Sequence, residues 1–422
     1  MERRRAPMGH ASSVCSLSLM KGFVEESPKR IFYCGAFRLD STDAAGLRVM
    51  AIGKSLRAAG WQVEFFPWNS EDDGGPGAQP DSIEGFPVHK MGEFRSQGGG
   101  SLRRLTGYLS RGSKTLEHLA SIDVSNLDAV ICYNGTSRFL SSMRKWSLKQ
   151  GVACIADCTE WYNSAHLPGG RFGPVALDEW LRMRLVTPRL SKCIAISHYL
   201  DRYFTSAGMK TCRVPATIDL DATKWRNPDL LQARKKTSPS GKLQLIYAGV
   251  PGRKDRIAQV AQAASHVRDV HLTFVGPDQK ELELLLGADV IEPDESGQRI
   301  DFTGKVAADR VPALVAKADF SVIIRSDERY AQAGFPTKLV ESLASGTPVI
   351  TTVSGDEATV IEDGKNGFVL RSGDIEEVMS VLRRARDLSS DEKLRMRGEA
   401  LQAARNFDYR EYVEPLRLFL GE

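Results

Sequence analysis

Lys338 and Glu341 follow the turn Gly334-Phe335-Pro336-Thr337, in a stretch that reads AGFPTKLVESLASGTPVIT from Ala333 to Thr351. Pro336 suits the first position of a helix, where a missing N–H costs nothing. Leu339, Val340, Leu343 and Ala344 fall on one apolar stripe. Gly346 suits the residue just past the last turn, and Pro348 forbids continuation. The free N–H groups of such a helix start attract anions. Lys338 adds a positive charge, and Glu341, one turn on, can accept hydrogen bonds from a sugar diol. An ordinary helix with a surface Lys–Glu pair has the same spacing.

A second stretch, YAGVPGRKDRI from Tyr247 to Ile257, supplies a counterpart. Gly249 and Gly252 let a backbone come close to a ligand. Arg253, Lys254 and Arg256 bring cations to the end of a strand-like run. A Gly-containing turn with cations, facing a helix start with its own lysine, suits a diphosphate. The pattern is neither a GxGxxG fingerprint nor a Walker loop, which weakens dinucleotide and ATP readings.

The elements that must position these residues alternate between strand-like and helix-like runs, the pattern of parallel α/β sheets. In the first half, strand-like runs cover 30–37, 61–68, 86–91, 127–134, 152–158 and 193–197, and helical patterns cover 44–59, 102–121, 137–149, 174–190 and 198–206. Gly- and Asp-rich loops at 69–82 and 92–101 read as mobile. The polar run 221–242 reads as a linker, after which strand-like runs restart at 243–249, 270–276, 300–304, 319–324, 348–352 and 367–370. The expected fold class is α/β, with two facing Rossmann-like doubly wound domains and a cleft between them. The expected units are a mobile tail (1–28), a first Rossmann-like domain (29–220), the linker, a second Rossmann-like domain (243–405) and a last helix (406–422) that can pack back on the first domain. Open parallel sheets hold ligands at the carboxyl ends of their strands, so two facing sheets share one cleft.

Composition narrows the function classes. The 422 residues are 42% hydrophobic and 26% charged, as in a soluble globular protein. No apolar run approaches the roughly 18 residues of a membrane span. The basic start MERRRAPMGH lacks the apolar centre of a signal peptide, so a cytoplasmic protein is expected. The seven cysteines include no CxxC and read as small buried thiols. The excess of Lys and Arg sits in the amino-terminal half, too spread out for nucleic acid but suited to an anionic partner surface.

The chain from YAGVPGRKD through VHLTFVG, IDFTGKV, ADFSVII and GFPTKLVESLASGTPVI to VIEDGKNGFVL resembles the GT-B glycosyltransferases of the GT4-like group, in the form found in bacterial capsule and exopolysaccharide clusters. STDAAGLRVMAIGKSLRAAGWQVEFF and CIAISHYLDRYF are compatible with that family's first domain. The resemblance implies a retaining, hexosyltransferase-type enzyme that takes a nucleotide-diphosphate sugar and needs no metal or cofactor. It implies that Arg253 or Lys254, Lys254 first, contacts the donor phosphate, and that Glu341 holds the nucleotide ribose. Glu341 matches the second glutamate of the family's E-x7-E motif. The first, which contacts the donor sugar, is Ala333 here, and Glu328, Arg329 or Gln332 are the candidates to replace it.

On the acceptor side, Gly35, Arg38 and Asp40 follow the first strand, and the family places this loop beneath the donor diphosphate. Asp157, Glu160, Trp161 and His166 follow a later strand and can grip acceptor hydroxyls or assist proton transfer. The stripe of Leu102, Leu105, Leu109, Leu116 and Leu119 opposite Arg104, Arg111 and Lys114 fits either a core helix with a solvated face or peripheral contact with an anionic membrane. The expected catalytic set is Lys254, Glu341, Asp157 and Glu160, with Gly35, Gly249, Gly252, Arg253, Phe335, Pro336, Thr337 and Lys338 against the nucleotide sugar. The acceptor is expected to be a glycan or a lipid-linked sugar. The alternatives are a nucleotide-sugar 2-epimerase on the same fold, and a degenerate, non-catalytic relative that binds nucleotide sugar or a partner transferase.

Overall fold

The computed structural model describes residues 28–40, 43–70, 72, 75, 81–94, 101–252, 254–286 and 299–421. The expected amino-terminal tail up to residue 27, Arg253 and most of the two Gly- and Asp-rich loops lie outside them.

Strands form where short runs of β-branched and aromatic residues are bounded by turn residues. In the first sheet these are β1 (Arg30–Gly35), β2 (Gln62–Pro67), β3 (Asp81–Ile83), β4 (Phe86–Val88), β5 (Leu127–Tyr133), β6 (Ala153–Cys158), β7 (Lys192–Ala195) and β8 (Lys210–Arg213). Among the described residues they order as β3-β4-β2-β1-β5-β6-β7-β8, parallel except for the β3–β4 pair. Residues Ile31 to Cys34 are buried on both faces, as a central parallel strand between helix layers requires. The second sheet comprises β9 (Leu243–Ala248), β10 (Val270–Val275), β11 (Arg299–Phe302), β12 (Phe320–Ile323), β13 (Val349–Thr352) and β14 (Gly367–Leu370). All its pairs are parallel, in the order β11-β10-β9-β12-β13-β14. The chain reverses its direction of winding at β1 in one sheet and at β9 in the other. Crevices therefore open beyond the carboxyl ends of β1/β5 and β9/β12.

The departures from the sequence pattern have local causes. The run 102–121 is two helices, Ser101–Leu109 and Ser113–Ser121, because Gly112 turns left-handed at φ 89°. The run 174–190 begins as the helix Pro174–Leu181 and then loosens into a wider turn, Arg182–Val186, as the buried Arg182 bonds back to Glu179. Residues 221–242 include the short turns Thr223–Arg226 and Pro228–Ala233, which bury Trp225, Leu230 and Ala233, so this segment is a packed connector.

One apolar cluster runs through both sheets' inner layers. It contains Phe32, Trp68 and Trp161 from the first domain and Phe335, Leu339 and Leu343 from the second. The last helix, Val413–Gly421, packs against the helix Ala44–Ala58 and β8. Its Leu416 and Phe419 join Ile31, Tyr33 and Val49 in the first domain's outer layer, and Lys192 Nζ donates to the Phe419 carbonyl at 2.5 Å. Leu416→Ala is therefore expected to destabilise the first domain by about 2–5 kcal/mol. An unchanged urea midpoint would show that this helix does not brace the first sheet.

Candidate functional site

A cavity of about 560 Å³ opens between the carboxyl ends of the two sheets. The second domain contributes Gly252, Lys254, Asp255, Arg325 and the segment 334–338, and the first contributes Arg48, Tyr133, Asn134, Thr159 and Glu160.

The helix Thr337–Ala344 starts in this cavity. Pro336 has φ −77° and ψ 111°, so it precedes the helix as the half-in cap residue and is not its first member. Gly346, at φ 74°, takes the left-handed conformation past the carboxyl end. Lys338 Nζ donates to the Tyr247 hydroxyl at 2.6 Å and lies 3.3 Å from Asp255 Oδ2. Asp255 Oδ2 also accepts from Gly252 N–H and the Tyr247 hydroxyl, each at 2.9 Å. Burial raises the Asp255 pKa, but Lys338 and the Gly252 and Tyr247 hydrogen bonds outweigh it and hold the carboxyl below its ordinary range. Burial pulls the Lys338 ammonium the other way, below the usual lysine range.

Lys254 Nζ stands 3.7 Å from Glu160 Oε1, across the cleft, and 4.6 Å from the centre of the Tyr330 ring. Burial lowers its pKa, and Glu160 offsets part of that. Arg325 leaves the end of β12 with its guanidinium buried. Its Nη1 donates to Glu357 Oε1 at 2.5 Å, and the Thr352 hydroxyl holds its backbone at both N–H and carbonyl. The sequence reading missed Arg325. The available signal was an arginine directly after the apolar run of a predicted strand, without a motif to single it out.

Several expected residues stand elsewhere. Asp157 is not at the acceptor's surface. It is 1% exposed, its Oδ1 accepts from Arg48 Nη2 at 2.7 Å, and its Oδ2 accepts from the Tyr33 hydroxyl at 2.5 Å. Arg48 Nη1 continues to the Val214 and Pro215 carbonyls at 2.7 and 2.9 Å. The carboxylate is fully committed beneath the cavity floor, so its expected catalytic place becomes a positioning one. Trp161 is likewise buried, with Tyr203 at 4.6 Å and Arg329 at 4.5 Å, and offers no open face to a sugar. Ala333 is fully buried in the interdomain cluster, and its carbonyl accepts from Ser197 Oγ at 2.8 Å. A glutamate there would enter the core.

Glu341 pairs with Lys224 at 3.3 Å and is absent from the cavity wall. Gly249 and Gly35 also stand just behind the wall, where Val250 and Ala36 take part in it. A methyl group on Gly35, whose φ is 140°, would meet the Tyr133 carbonyl oxygen at 2.3 Å. This glycine therefore seats β1 against β5. Glu160, Gly252, Lys254, Phe335, Pro336, Thr337 and Lys338 do converge on the cavity. Arg253 lies outside the described residues. His166 is exposed at the rim, 6.5 Å from the Tyr330 ring.

Comparison with known proteins places this geometry. Residues 242–387 match the family described as Glycosyl transferases group 1, so this part of the chain carries a glycosyltransferase domain. No curated protein matches the chain in sequence. Solved structures match across both domains. Anabaena Alr3699/HepE in complex with UDP and glucose has a TM-score of 0.64 at 17% identity, covering 94% of this chain and 100% of that one. Sucrose-phosphate synthase from Thermosynechococcus elongatus has 0.66 at 14%, covering 93% and 100%. WaaG, a glycosyltransferase involved in lipopolysaccharide biosynthesis, has 0.60 at 15%, covering 92% and 99%. The fold is GT-B.

The buried Arg48–Asp157 pair gives a test of the corrected role. Asp157→Asn leaves a buried guanidinium without its counter-charge and is expected to cost roughly 3–5 kcal/mol of stability. A variant that unfolds at the wild-type denaturant midpoint, yet has lost turnover, would return Asp157 to the chemistry.

Proposed function

We propose that the protein is a retaining, metal-independent glycosyltransferase that moves a hexose from a nucleotide-diphosphate donor to a glycan or lipid-linked acceptor in surface-polysaccharide assembly. One observation carries the reading: Lys254, Lys338 and the start of the helix Thr337–Ala344 converge on one cavity between the two sheets, beyond the carboxyl ends of their strands. As the sugar leaves, negative charge grows on the diphosphate. Fixed cations and backbone N–H groups in a half-enclosed site take up that charge without reorganising. Metal independence is part of the proposal because these groups supply the neutralisation a metal would otherwise give.

Glu341 is the proposed ribose ligand, a role in which the diol's hydroxyls replace Lys224 at its carboxylate. Glu160 is the group proposed to meet the acceptor. HepE binds UDP and glucose, which supports the donor class. WaaG acts in lipopolysaccharide biosynthesis, which supports a surface-polysaccharide role. Among the described residues no helix is long and apolar enough to cross a membrane. A lipid-linked acceptor would then be reached by peripheral contact from the cytoplasmic side. The 2-epimerase alternative gains nothing from the site, since Ala333 is buried away from the cavity.

Turnover of a panel of nucleotide sugars, with the product's anomeric configuration read by NMR, tests the reading. Retention with activity undiminished by EDTA is expected. Inversion, or a strict need for Mg²⁺ or Mn²⁺, would replace the proposed mechanism.

Lys254 adds a pH test. Its ammonium is destabilised in the free protein by burial, and a bound diphosphate would stabilise it. Diphosphate affinity is therefore full below the free protein's Lys254 pKa and falls as pH rises through it, starting below the ordinary lysine range. Calorimetry across the alkaline range should show a shallower decline in Lys254→Arg than in wild type, the remainder coming from Lys338, whose ammonium pKa burial also lowers. Parallel profiles would remove Lys254 from the phosphate contact.

A further inference from the structure

Glu357 closes only one edge of the Arg325 guanidinium. Nε and Nη2 are buried and have no hydrogen-bond partner among the described residues. Buried N–H groups without an acceptor are costly, and those of a charged guanidinium especially so. Arg325 also lines the cavity. A methyl group built on Gly334 would stand 3.7 Å from Arg325 Nη2 and 3.7 Å from Lys254 Nζ. The two cations therefore flank the Gly334 Cα. Gly334 has φ −92°, an ordinary backbone conformation, so nothing in its backbone calls for glycine. What its missing side chain leaves is a gap bordered by two positive charges and, 3.8 Å from the same methyl position, by the Thr159 carbonyl oxygen.

We propose that the Nε–Nη2 edge of Arg325 receives an anionic group of the donor in the gap beside Gly334, with Glu357 as the positioning residue that holds the guanidinium. This rests on the glycosyltransferase reading above. Nε and Nη2 are parallel donors in one plane and match two oxygens of one oxyanion, a geometry a lysine cannot reproduce. Two sources carry that chemistry: the donor's diphosphate, and a carboxylate on the transferred sugar. The second would make the enzyme selective for a uronate donor.

The test titrates UDP, UDP-glucose and UDP-glucuronate, with uridine, ADP and GDP alongside, into wild type and three variants. Arg325→Gln removes the cation. Arg325→Gln/Glu357→Gln removes both buried charges together and keeps the test open should the single variant fail to fold. Gly334→Ala fills the gap at ordinary contact distance and leaves every charge in place. A loss of roughly 10- to 100-fold in UDP affinity, with uridine affinity unchanged, supports the proposal and assigns the diphosphate. The same loss confined to UDP-glucuronate supports it and assigns the sugar carboxylate. Variants that melt as wild type does and bind all three ligands equally well overturn it. Wild-type protein that binds none of UDP, ADP and GDP overturns the donor reading, and the inference with it.

Discussion

The ion pair between Arg48 and Asp157 holds the first half of the cleft. Their side chains are 2% and 0% exposed, so neither charge has water to fall back on. Burying two ions is tolerated only when geometry and extra hydrogen bonds satisfy the remaining donors and acceptors. Here the Tyr33 hydroxyl completes the carboxylate, and the Val214 and Pro215 carbonyls complete the guanidinium. The network ties the ends of β1 and β6, the helix Ala44–Ala58 and the chain after β8 into one floor. Arg325 and Glu357 occupy the corresponding depth in the second domain, but their network is left open on one side.

The two floors face each other because the domains are joined by more than a connector. Phe335, Leu339 and Leu343 share an apolar cluster with Trp161 and Leu200. The helix His198–Ser206 is capped by Ser197, whose hydroxyl also donates to the Ala333 carbonyl, and Asp356 accepts from the His198 N–H at 3.0 Å. Asn163 donates to Glu328 at 3.2 Å, and Tyr162 lies against Tyr330. Of these residues Tyr162 and Phe335 also line the cavity, so the interdomain contacts reach the ligand space itself.

Most of the architecture could be read from the chain because parallel strands buried on both faces are near-continuous apolar runs, as in β1, β5, β6, β9 and β12. The edge strands β3 and β8 could not, since Asp81–Ile83 and Lys210–Arg213 are short and carry no fully buried residue. At the site, Lys254 and Lys338 were visible because glycines and a helix start mark their loops. Asp157 was misread for a physical reason. A polar residue at the carboxyl end of a strand looks the same whether it opens to the cleft or turns under it. Which way it turns depends on Arg48, 109 residues away in sequence. Arg325 was hidden in a similar way, since its meaning comes from Glu357, 32 residues on, and from the space beside Gly334.

Three of the cations at the cavity, Arg325, Lys338 and Lys254, are paired with carboxylates, and the pairs differ in grip. Arg325 meets Glu357 at 2.5 Å with both side chains at 1% exposure or less. Lys338 meets Asp255 at 3.3 Å, and the Tyr247 hydroxyl bridges both. Lys254 meets Glu160 at 3.7 Å, with the side chains 21% and 27% exposed. Attraction weakens with separation and with access to water, so the Lys254–Glu160 contact is the easiest of the three to exchange. It is also the one that crosses between the domains. An anion arriving at Lys254 competes with a carboxylate from the opposite domain and not with one of its own. An anion held by Lys254 would thus free a negative charge on the opposite wall of the cavity, at Glu160. The two tighter pairs each lie within the second domain and do not depend on that exchange.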